Sequence, residues 1–354
     1  MALQQQQTSA TGSKCVRAEP GTYSNPIWHG YFADPFVLRH DGTYYAYGTG
    51  HGPEPGGWQF PVLRSNDLAN WEYAGAALPP MRDEKTGEPF TAYWATEVAE
   101  RDGRFYLYFS AATQHRDETH RLRVAVADRP EGPFEYVGLV NMTGPLADAF
   151  TIDASPFRDP AGGRWYLFFA TDFFDGTHTG TGTAVVPLDN DMCTASGEAQ
   201  TVIRASSDWQ VYERNRPLYG KTWAAWHTVE GPFVWPHEGR YYCFYSGGNW
   251  QTPLYGVGYG VADSPMGPWR DEWNREGPSV LRGNEQFHGP GHNSAVLGPD
   301  GKTEFMVYHA WDPGRTARRM CIDPIEWVED TASGIARPRV NGPSVPPQLL
   351  ARKD

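Results

Sequence analysis

The stretch ADPFVLRHDGTYYAYGT, residues 33–49, contains the pattern that decides the fold. A polar residue is followed by a short apolar run, a Gly-containing turn, and a second run rich in alternating aromatic residues. Such alternation predicts two antiparallel strands joined by a tight turn, which is a β-hairpin. The same pattern recurs four more times, in residues 96–111, 153–171, 230–248 and 292–311.

Five copies of one hairpin predict a repeat architecture. The copies are spaced more widely than usual propeller blades, but a four-stranded blade with long loops accommodates the spacing. A second part of the repeat also recurs, because VAVADRPEGPFEYVG at 124–138 matches GYGVADSPMGPWRDE at 258–272. We therefore predict an all-β, single-domain, five-bladed β-propeller over residues 26–354, closed by a terminal strand. Residues 1–25 form a polar N-terminal lead-in in this interpretation.

Composition restricts the class of partner. Aromatic residues make up 14% of the 354 residues, with 39 Gly and 30 Pro, which is typical of short strands and tight turns. The formal net charge of −12 disfavours nucleic acid and anionic membranes and leaves a neutral partner such as carbohydrate. The four cysteines form no CxxC pair and indicate no disulfide framework.

The N-terminus lacks the apolar region of a signal peptide, and no apolar run is long enough to span a bilayer. Localisation stays open between the cytoplasm and secretion with the leader removed. The oligomeric state also stays open.

Each copy carries a polar residue at the start of its first predicted strand. These residues are Asp34, Glu97, Asp153, Glu230 and His292. An acid next to proline or glycine is often only a turn former. Three acids in the same local context, at one end of a radial repeat, instead predict a cluster of carboxylates, which is costly to bury unless it is used.

Glycosidic bond cleavage is the chemistry that such a cluster suits. It requires one protonated carboxyl group to donate a proton to the leaving oxygen, and one ionised carboxylate to activate water or attack carbon. A third acid near the proton donor raises the pKa of that donor by like-charge repulsion.

Several segments together resemble glycoside hydrolase family 43, over about residues 28–330. They are residues 33–49 and the segments IDASPF (152–157), EGPFV (230–234), GPGHNS (289–294) and YHAW (308–311). That family consists of five-bladed β-propellers and contains inverting arabinofuranosidases, arabinanases and xylosidases. The resemblance implies that Asp34 is the general base, Asp153 the residue that modulates the pKa and orients the acid, and Glu230 the general acid. Inversion requires the carboxyl groups of Asp34 and Glu230 to lie about 6.5–9.5 Å apart.

The resemblance also implies three substrate-binding residues: Trp94, His292 and Arg318. Thr96 replaces the proline that usually follows the family tryptophan, and Arg319 is the neighbour most easily mistaken for Arg318. In the family, the histidine at the position of His292 often helps to hold a hydrated ion. We therefore expect a structural calcium ion in the channel, held by His292 through waters, and no cofactor that the chemistry requires.

The resemblance favours an exo-α-L-arabinofuranosidase acting on arabinan or arabinoxylan. A β-xylosidase is less favoured because those enzymes usually append a β-sandwich that this chain is too short to hold. An endo-α-1,5-arabinanase remains an alternative, although the inserted stretch at residues 206–226, read as a loop, would close one end of the cleft. The alternative from another class is a non-catalytic carbohydrate-binding propeller.

Overall fold

The computed structural model describes residues 21–114, 116–331 and 333–350. Within these ranges the regular structure is β-strand, apart from five single-turn 3-10 helices. These turns are Pro55–Gly57, Asp117–Thr119, Gly144–Leu146, Asp208–Gln210 and Glu272–Asn274. No helix in the described part of the chain has the length and apolar character needed to cross a membrane.

The strands belong to five consecutive units, preceded and followed by one short strand each. In chain order the strands are β1 (Thr22–Tyr23); β2 (Ala33–His40), β3 (Thr43–Thr49), β4 (Gln59–Ser65) and β5 (Trp71–Leu78) in unit one; β6 (Ala92–Arg101), β7 (Arg104–Ala112), β8 (Arg121–Ala127) and β9 (Glu135–Leu139) in unit two; β10 (Thr151–Arg158), β11 (Trp165–Phe173), β12 (Gly180–Leu188) and β13 (Gln200–Thr201) in unit three; β14 (Val211–Leu218), β15 (Lys221–His237), β16 (Arg240–Gly247) and β17 (Gly256–Ala262) in unit four; β18 (His288–Leu297), β19 (Glu304–Trp311), β20 (Arg318–Val328) and β21 (Arg337–Val340) in unit five; and β22 (Gln348–Leu349).

Units one, two and five are four-stranded antiparallel sheets in chain order. Units three and four share one eight-stranded sheet, because β12 and β15 make a short parallel contact that pairs Gly180 with His227. The inner strands β2, β6, β10, β15 and β18 pack against one another in a closed cycle, in which each contacts the next and β18 contacts β2. Aromatic and branched side chains from facing sheets fill the spaces between units and form the core.

Every inner strand contains a β-bulge, which lies near the start of β2, β6, β10 and β18 and in the middle of the longer β15. The register shifts at this point in β2, β6, β10, β15 and β18. The first residue after the last regular pair has a positive φ in each bulge: Asp34 (50°), Ala95 (40°), Asp153 (57°), Gly231 (57°) and His292 (47°). Bulges turn a side chain out of the regular strand alternation, and they are common beside active sites. The cyclic packing brings these five bulges to one end of the inner strands.

The bulges correct the alignment of the five copies. The equivalent residue in unit two is Ala95 and not Glu97, and in unit four it is Gly231 and not Glu230. The sequence pattern treats the acids of the five copies as equivalent, whereas the backbone shows that the residues with left-handed φ are equivalent. Glycine adopts that conformation at no steric cost, which explains Gly231.

Residues 206–226, predicted to be an inserted loop, form a 3-10 turn and a β-hairpin, so that prediction is wrong. Strand β14 pairs with the first part of β15 through a two-residue turn, Tyr219-Gly220. Both turn residues have positive φ, 54° and 73°, which is the type I′ geometry that matches strand twist. The absence of a glycine at the first turn position obscured this hairpin in the sequence.

The two ends of the described chain meet, since β1 pairs with β22. Tyr23 is fully buried and its hydroxyl donates to Asp323. The segment after β1 adds to the edge of β20, where the N–H groups of Ile27 and Phe32 donate to the carbonyls of Met320 and Arg318. The two chain ends therefore meet through the β1–β22 pair and through an N-terminal segment bonded to unit five. Of the expected lead-in, residues 1–20 lie outside the described residues.

Candidate active site

Asp34 is a buried carboxylate on β2, with 8% of its surface exposed. Its Oδ1 accepts a hydrogen bond from Nη1 of Arg318 at 3.1 Å, and Nδ1 of His292 lies 3.6 Å away. Burial alone would raise the pKa of Asp34, but the charge of Arg318 holds it well below its ordinary value. Asp34 is therefore an ionised carboxylate at neutral pH.

His309 supports Asp34 from β19. The backbone N–H of Asp34 donates to Nδ1 of His309 at 3.1 Å. Because an amide N–H only donates, Nδ1 accepts, and the proton of the neutral ring lies on Nε2. Burial lowers the pKa of His309 to about 4, so the ring is neutral across the working range of most enzymes. Nδ1 also lies 3.3 Å from the Asp34 carboxylate, but the hydrogen bond from the backbone N–H is the contact that ties Asp34 to His309.

Glu230 lies on β15, one residue before the bulge. The hydroxyl of Tyr255 donates to its Oε1 at 2.7 Å. Burial raises the pKa of Glu230 to about 7, with a further contribution from the negative charge of Asp34 and against the hydrogen bond from Tyr255. Glu230 can therefore hold a proton near neutral pH, as a general acid must.

Asp153 is the third acid, on β10. Its Oδ2 accepts a hydrogen bond from the backbone N–H of Gly231 at 3.0 Å, which connects it to the bulge next to Glu230. Burial and the charges of Glu230 and Asp34 raise the pKa of Asp153 well above its ordinary value. The pKa values of Asp153 and Glu230 are thus both raised. The predicted arrangement places the proton on Glu230 and the charge on Asp153, but in an interacting pair the titration belongs to both acids.

Arg318 and Arg319 are adjacent on β20 and point to different surroundings. Besides Asp34, Arg318 donates from Nε and Nη2 to the hydroxyl of Tyr31 at 3.0 and 2.8 Å. Arg319 instead pairs with Asp312 and the carbonyl of His29. Successive side chains of a strand face opposite sides, so only Arg318 belongs to the carboxylate site.

Trp94 lies in β6, one residue before the bulge of unit two. Its ring stacks on the buried His120, with ring centres 3.5 Å apart and planes 16° apart. One face of the indole is therefore covered, and the partly exposed side chain can offer only its other face and edge.

His292 lies in the bulge of unit five, where its backbone N–H donates to the hydroxyl oxygen of Ser246 at 2.7 Å. Burial lowers the pKa of His292, which favours the neutral ring.

Sequence reasoning missed four residues of this site: Tyr31, Trp250, Tyr255 and His309. The guanidinium of Arg318 lies 4.4 Å from the centre of the Trp250 ring, and that ring stacks with Trp311. Both tryptophans are partly exposed. The segment YHAW contained a signal for His309. Tyr31, Trp250 and Tyr255 lie outside the first strands of the repeated hairpins, and no sequence signal pointed to them.

Three buried oxygen atoms on the inner strands have no hydrogen-bond partner among the described residues. They are Thr96 Oγ1, Glu97 Oε2 and Asn293 Oδ1. Burial raises the pKa of Glu97 well above its ordinary value, although Ser155 donates a hydrogen bond to it. Glu97 lies near Asp153, whose charge raises its pKa further.

The β14–β15 hairpin borders the site on one side. Arg216 on β14 forms an ion pair with Asp117 from unit two and lies 4.5 Å from the Tyr212 ring centre. Burial raises the pKa values of Glu230 and Tyr212; the charge of Asp117 adds to the shift of Glu230, and the charge of Glu230 adds to that of Tyr212. The hairpin therefore passes near the acid. Near its tip, the Tyr219 hydroxyl donates to Asp172 at 2.6 Å. The hairpin therefore connects unit four to units two and three.

The family model of glycosyl hydrolases family 43 matches residues 23–332. The chain belongs to this family. A β-D-galactofuranosidase, xynD, from Aspergillus niger is 29% identical and covers 93% of this chain and 88% of its own length. An extracellular exo-α-(1→5)-L-arabinofuranosidase from Streptomyces chartreusis is 28% identical and covers 86% of this chain and 87% of its own length.

The solved structure of a thermostable family-43 glycoside hydrolase is similar in fold, with a TM-score of 0.75 and 31% identity. It covers 94% of this chain and 100% of its own. Family 43 membership makes this protein a glycoside hydrolase. It also confirms the resemblance found in the sequence.

The alkaline limb of the pH profile tests the environment of Glu230 in this family 43 hydrolase. Activity that needs protonated Glu230 is lost as pH rises through its pKa of about 7. Tyr255→Phe removes a hydrogen bond that stabilises the ionised form, so the pKa rises and the limb in kcat/KM moves up by about one unit. The control is Tyr23→Phe, which removes a buried tyrosine–carboxylate hydrogen bond elsewhere. An unmoved limb in Tyr255→Phe would contradict the assignment.

Proposed function

We propose that the protein is an inverting hydrolase that releases L-arabinofuranose from arabinan or arabinose-decorated xylan. Asp34 deprotonates the water that attacks the anomeric carbon, and Glu230 protonates the leaving oxygen. Asp153 modulates the titration of Glu230 as the neighbouring acid, since the charges of the two interact, and through the N–H of Gly231 it fixes the bulge that presents Glu230. The proposal rests on the different electrostatic environments of two acids: Asp34 is held ionised, and the pKa of Glu230 is raised to about 7.

We also propose that the five units are the blades of a five-bladed β-propeller forming a single domain. The closed cycle of inner strands supports this architecture. In such a ring the five bulges surround one channel mouth. Trp94, His292 and Arg318 then serve as sugar-binding residues, with Trp250 as a further aromatic surface beside Arg318.

The β14–β15 hairpin supports exo action. It extends from Glu230 to the loop that contains Asp117, and it is fixed by the ion pair of Arg216 with Asp117 and by the hydrogen bond of Tyr219 to Asp172. A wall of this kind blocks a polysaccharide from running through a cleft and leaves room for a chain end. An endo-arabinanase needs a cleft open on both sides.

A second candidate is hydrolysis of β-D-galactofuranosides, favoured by the similarity to the Aspergillus niger enzyme. β-D-Galactofuranose and α-L-arabinofuranose share ring configuration and differ in the substituent on the ring carbon C4. A pocket that binds one ring can therefore bind the other if it has space at that substituent. A β-xylosidase must bind a pyranose ring instead, and no observation at this site favours it.

We retain the channel calcium ion as a proposal. Calcium takes oxygen ligands, and the unpartnered oxygens of Thr96, Glu97 and Asn293 are of that type. His292 would contribute only through water, because imidazole nitrogen is a poor calcium ligand. The ion would supply positive charge in a region of buried acids, while Asp34 and Glu230 carry out the chemistry.

The product profile from linear α-1,5-arabinan tests the function. The proposal predicts arabinose as the sole product from the earliest time points, because a closed pocket releases one terminal sugar in each event. A ladder of oligosaccharides would contradict exo action and indicate an endo-arabinanase. Turnover of aryl β-D-galactofuranoside with none on arabinan would favour the second candidate. Sugar binding without any turnover would favour a non-catalytic carbohydrate-binding protein.

A further inference from the structure

A cluster of two histidines and an aspartate lies outside the carboxylate site, where units three and four meet. His178 is in the loop between β11 and β12, Asp208 begins a 3-10 turn, and His227 is on β15. One ligand atom from each lies within 4.8 Å of the other two. Among the described residues this is the one group of three or more His, Cys, Asp or Glu side chains with such spacing.

His227 has the geometry of a histidine prepared to bind a metal. Only 3% of its surface is exposed, and its Nδ1 lies 3.1 Å from the carbonyl oxygen of Thr179. A carbonyl only accepts, so Nδ1 carries the proton and Nε2 presents its lone pair. Nε2 is buried and has no partner within the described ranges. Metal-binding histidines typically donate their second N–H to a carbonyl in this way, which fixes the ring.

The other two residues can turn towards the same point. Nδ1 of His178 lies 3.1 Å from the Thr177 hydroxyl, which leaves Nε2 available. The rings of His178 and His227 lie with centres 4.8 Å apart. Asp208 is exposed and pairs with the equally exposed Arg214 at 3.1 Å. Exposed ion pairs are weak, so the carboxylate can exchange that partner for a cation.

We propose that His178, Asp208 and His227 form a zinc site. Two imidazoles and a carboxylate suit Zn²⁺, which binds them at about 2.0–2.2 Å in a tetrahedron whose fourth position water can occupy. Ligand atoms in such a tetrahedron lie about 3.3 Å apart, so rotation of the accessible His178 and Asp208 towards His227 completes the site. Calcium and magnesium prefer oxygen ligands and suit it poorly.

The ion would stabilise the wall of the active site. Its ligands come from three segments: the β11–β12 loop, the turn that precedes the hairpin, and β15 itself. His227 lies three residues before Glu230 on the same strand. Zinc therefore ties the base of the β14–β15 hairpin to unit three. This consequence concerns stability and holds whichever sugar the enzyme accepts.

Titration of the metal-freed, full-length protein with zinc chloride tests the proposal. Calorimetry is expected to give one Zn²⁺ per chain with a Kd in the micromolar range or below. At 100-fold excess over Kd, the melting temperature is expected to rise by about 4 °C. Co²⁺ is expected to give the visible absorption of a tetrahedral ion. Absence of zinc binding to the wild type at micromolar concentration would overturn the proposal.

Variants distinguish this site from other zinc-binding groups. His178→Asn and Asp208→Asn change accessible side chains and are expected to fold, and each should weaken zinc binding at least 10-fold. His40→Asn is the matched control, because His40 lies 3.4 Å from Asp41 but belongs to no three-residue cluster in the described part of the chain. Wild-type zinc affinity in both His178→Asn and Asp208→Asn would contradict the site. Any response to calcium is expected to be the same in these variants as in the wild type.

Discussion

Asp34→Asn and Glu230→Gln are each expected to lower kcat on arabinan by about 10³-fold or more, with folding intact. Asparagine cannot accept the proton of the attacking water, and glutamine cannot protonate the leaving oxygen. Both substitutions preserve shape, but Asp34→Asn leaves the buried guanidinium of Arg318 without its anion, so a lower melting temperature with a folded protein is expected for that variant. Circular dichroism and melting temperature check the fold, and product release from arabinan measures turnover.

An activated substrate separates the two roles. A 2,4-dinitrophenyl α-L-arabinofuranoside has a leaving group that departs without protonation, so Glu230→Gln should recover much of its activity on it. Asp34→Asn should not recover, because water still needs a base. Nearly normal turnover of arabinan by either variant, or recovery by Asp34→Asn alone, would contradict the assignment.

Arg318→Met is expected to destabilise the fold by about 3–5 kcal/mol, because it leaves the buried carboxylate of Asp34 without its cation. Loss of the positive charge also raises the pKa of Asp34, so the acid limb of kcat/KM moves to higher pH. Activity at weakly acid pH falls for this reason. Thermal unfolding and the pH profile measure both effects.

Two comparisons isolate that effect. Arg319→Met is the matched control, since its partner Asp312 is partly exposed and the pair contributes about 1 kcal/mol at most. The double variant Asp34→Asn/Arg318→Met should be more stable than Arg318→Met, because it removes the unpaired charge. Equal effects of the two arginine substitutions, or no recovery in the double variant, would contradict the role given to Arg318.

The strands were predictable from sequence because their signal is local. Alternating aromatic residues and the Gly-containing turns of residues 33–49 specify a hairpin without reference to the rest of the chain. The three acids Asp34, Asp153 and Glu230 were found through repetition and resemblance, and the structure brings them together. The bulge in each inner strand was not visible, because four of its five positive-φ positions are occupied by residues other than glycine.

The supporting residues of the site could not be found in the same way. His309 meets Asp34 across 275 positions of sequence, and Tyr255 reaches Glu230 from the segment just before β17. No local periodicity encodes such contacts, since they depend on how the units pack. The choice between Arg318 and Arg319 depends on which face of β20 turns inward. A shift of the strand register by one residue would exchange the positions of the two side chains.

The anomer formed first tests the central claim most directly, and proton NMR of wild-type enzyme on an aryl α-L-arabinofuranoside measures it. If Asp34 activates water opposite the leaving group that Glu230 protonates, β-L-arabinofuranose appears first and then mutarotates. First appearance of the α anomer would mean net retention and a covalent intermediate, and would contradict the roles assigned to both carboxyl groups.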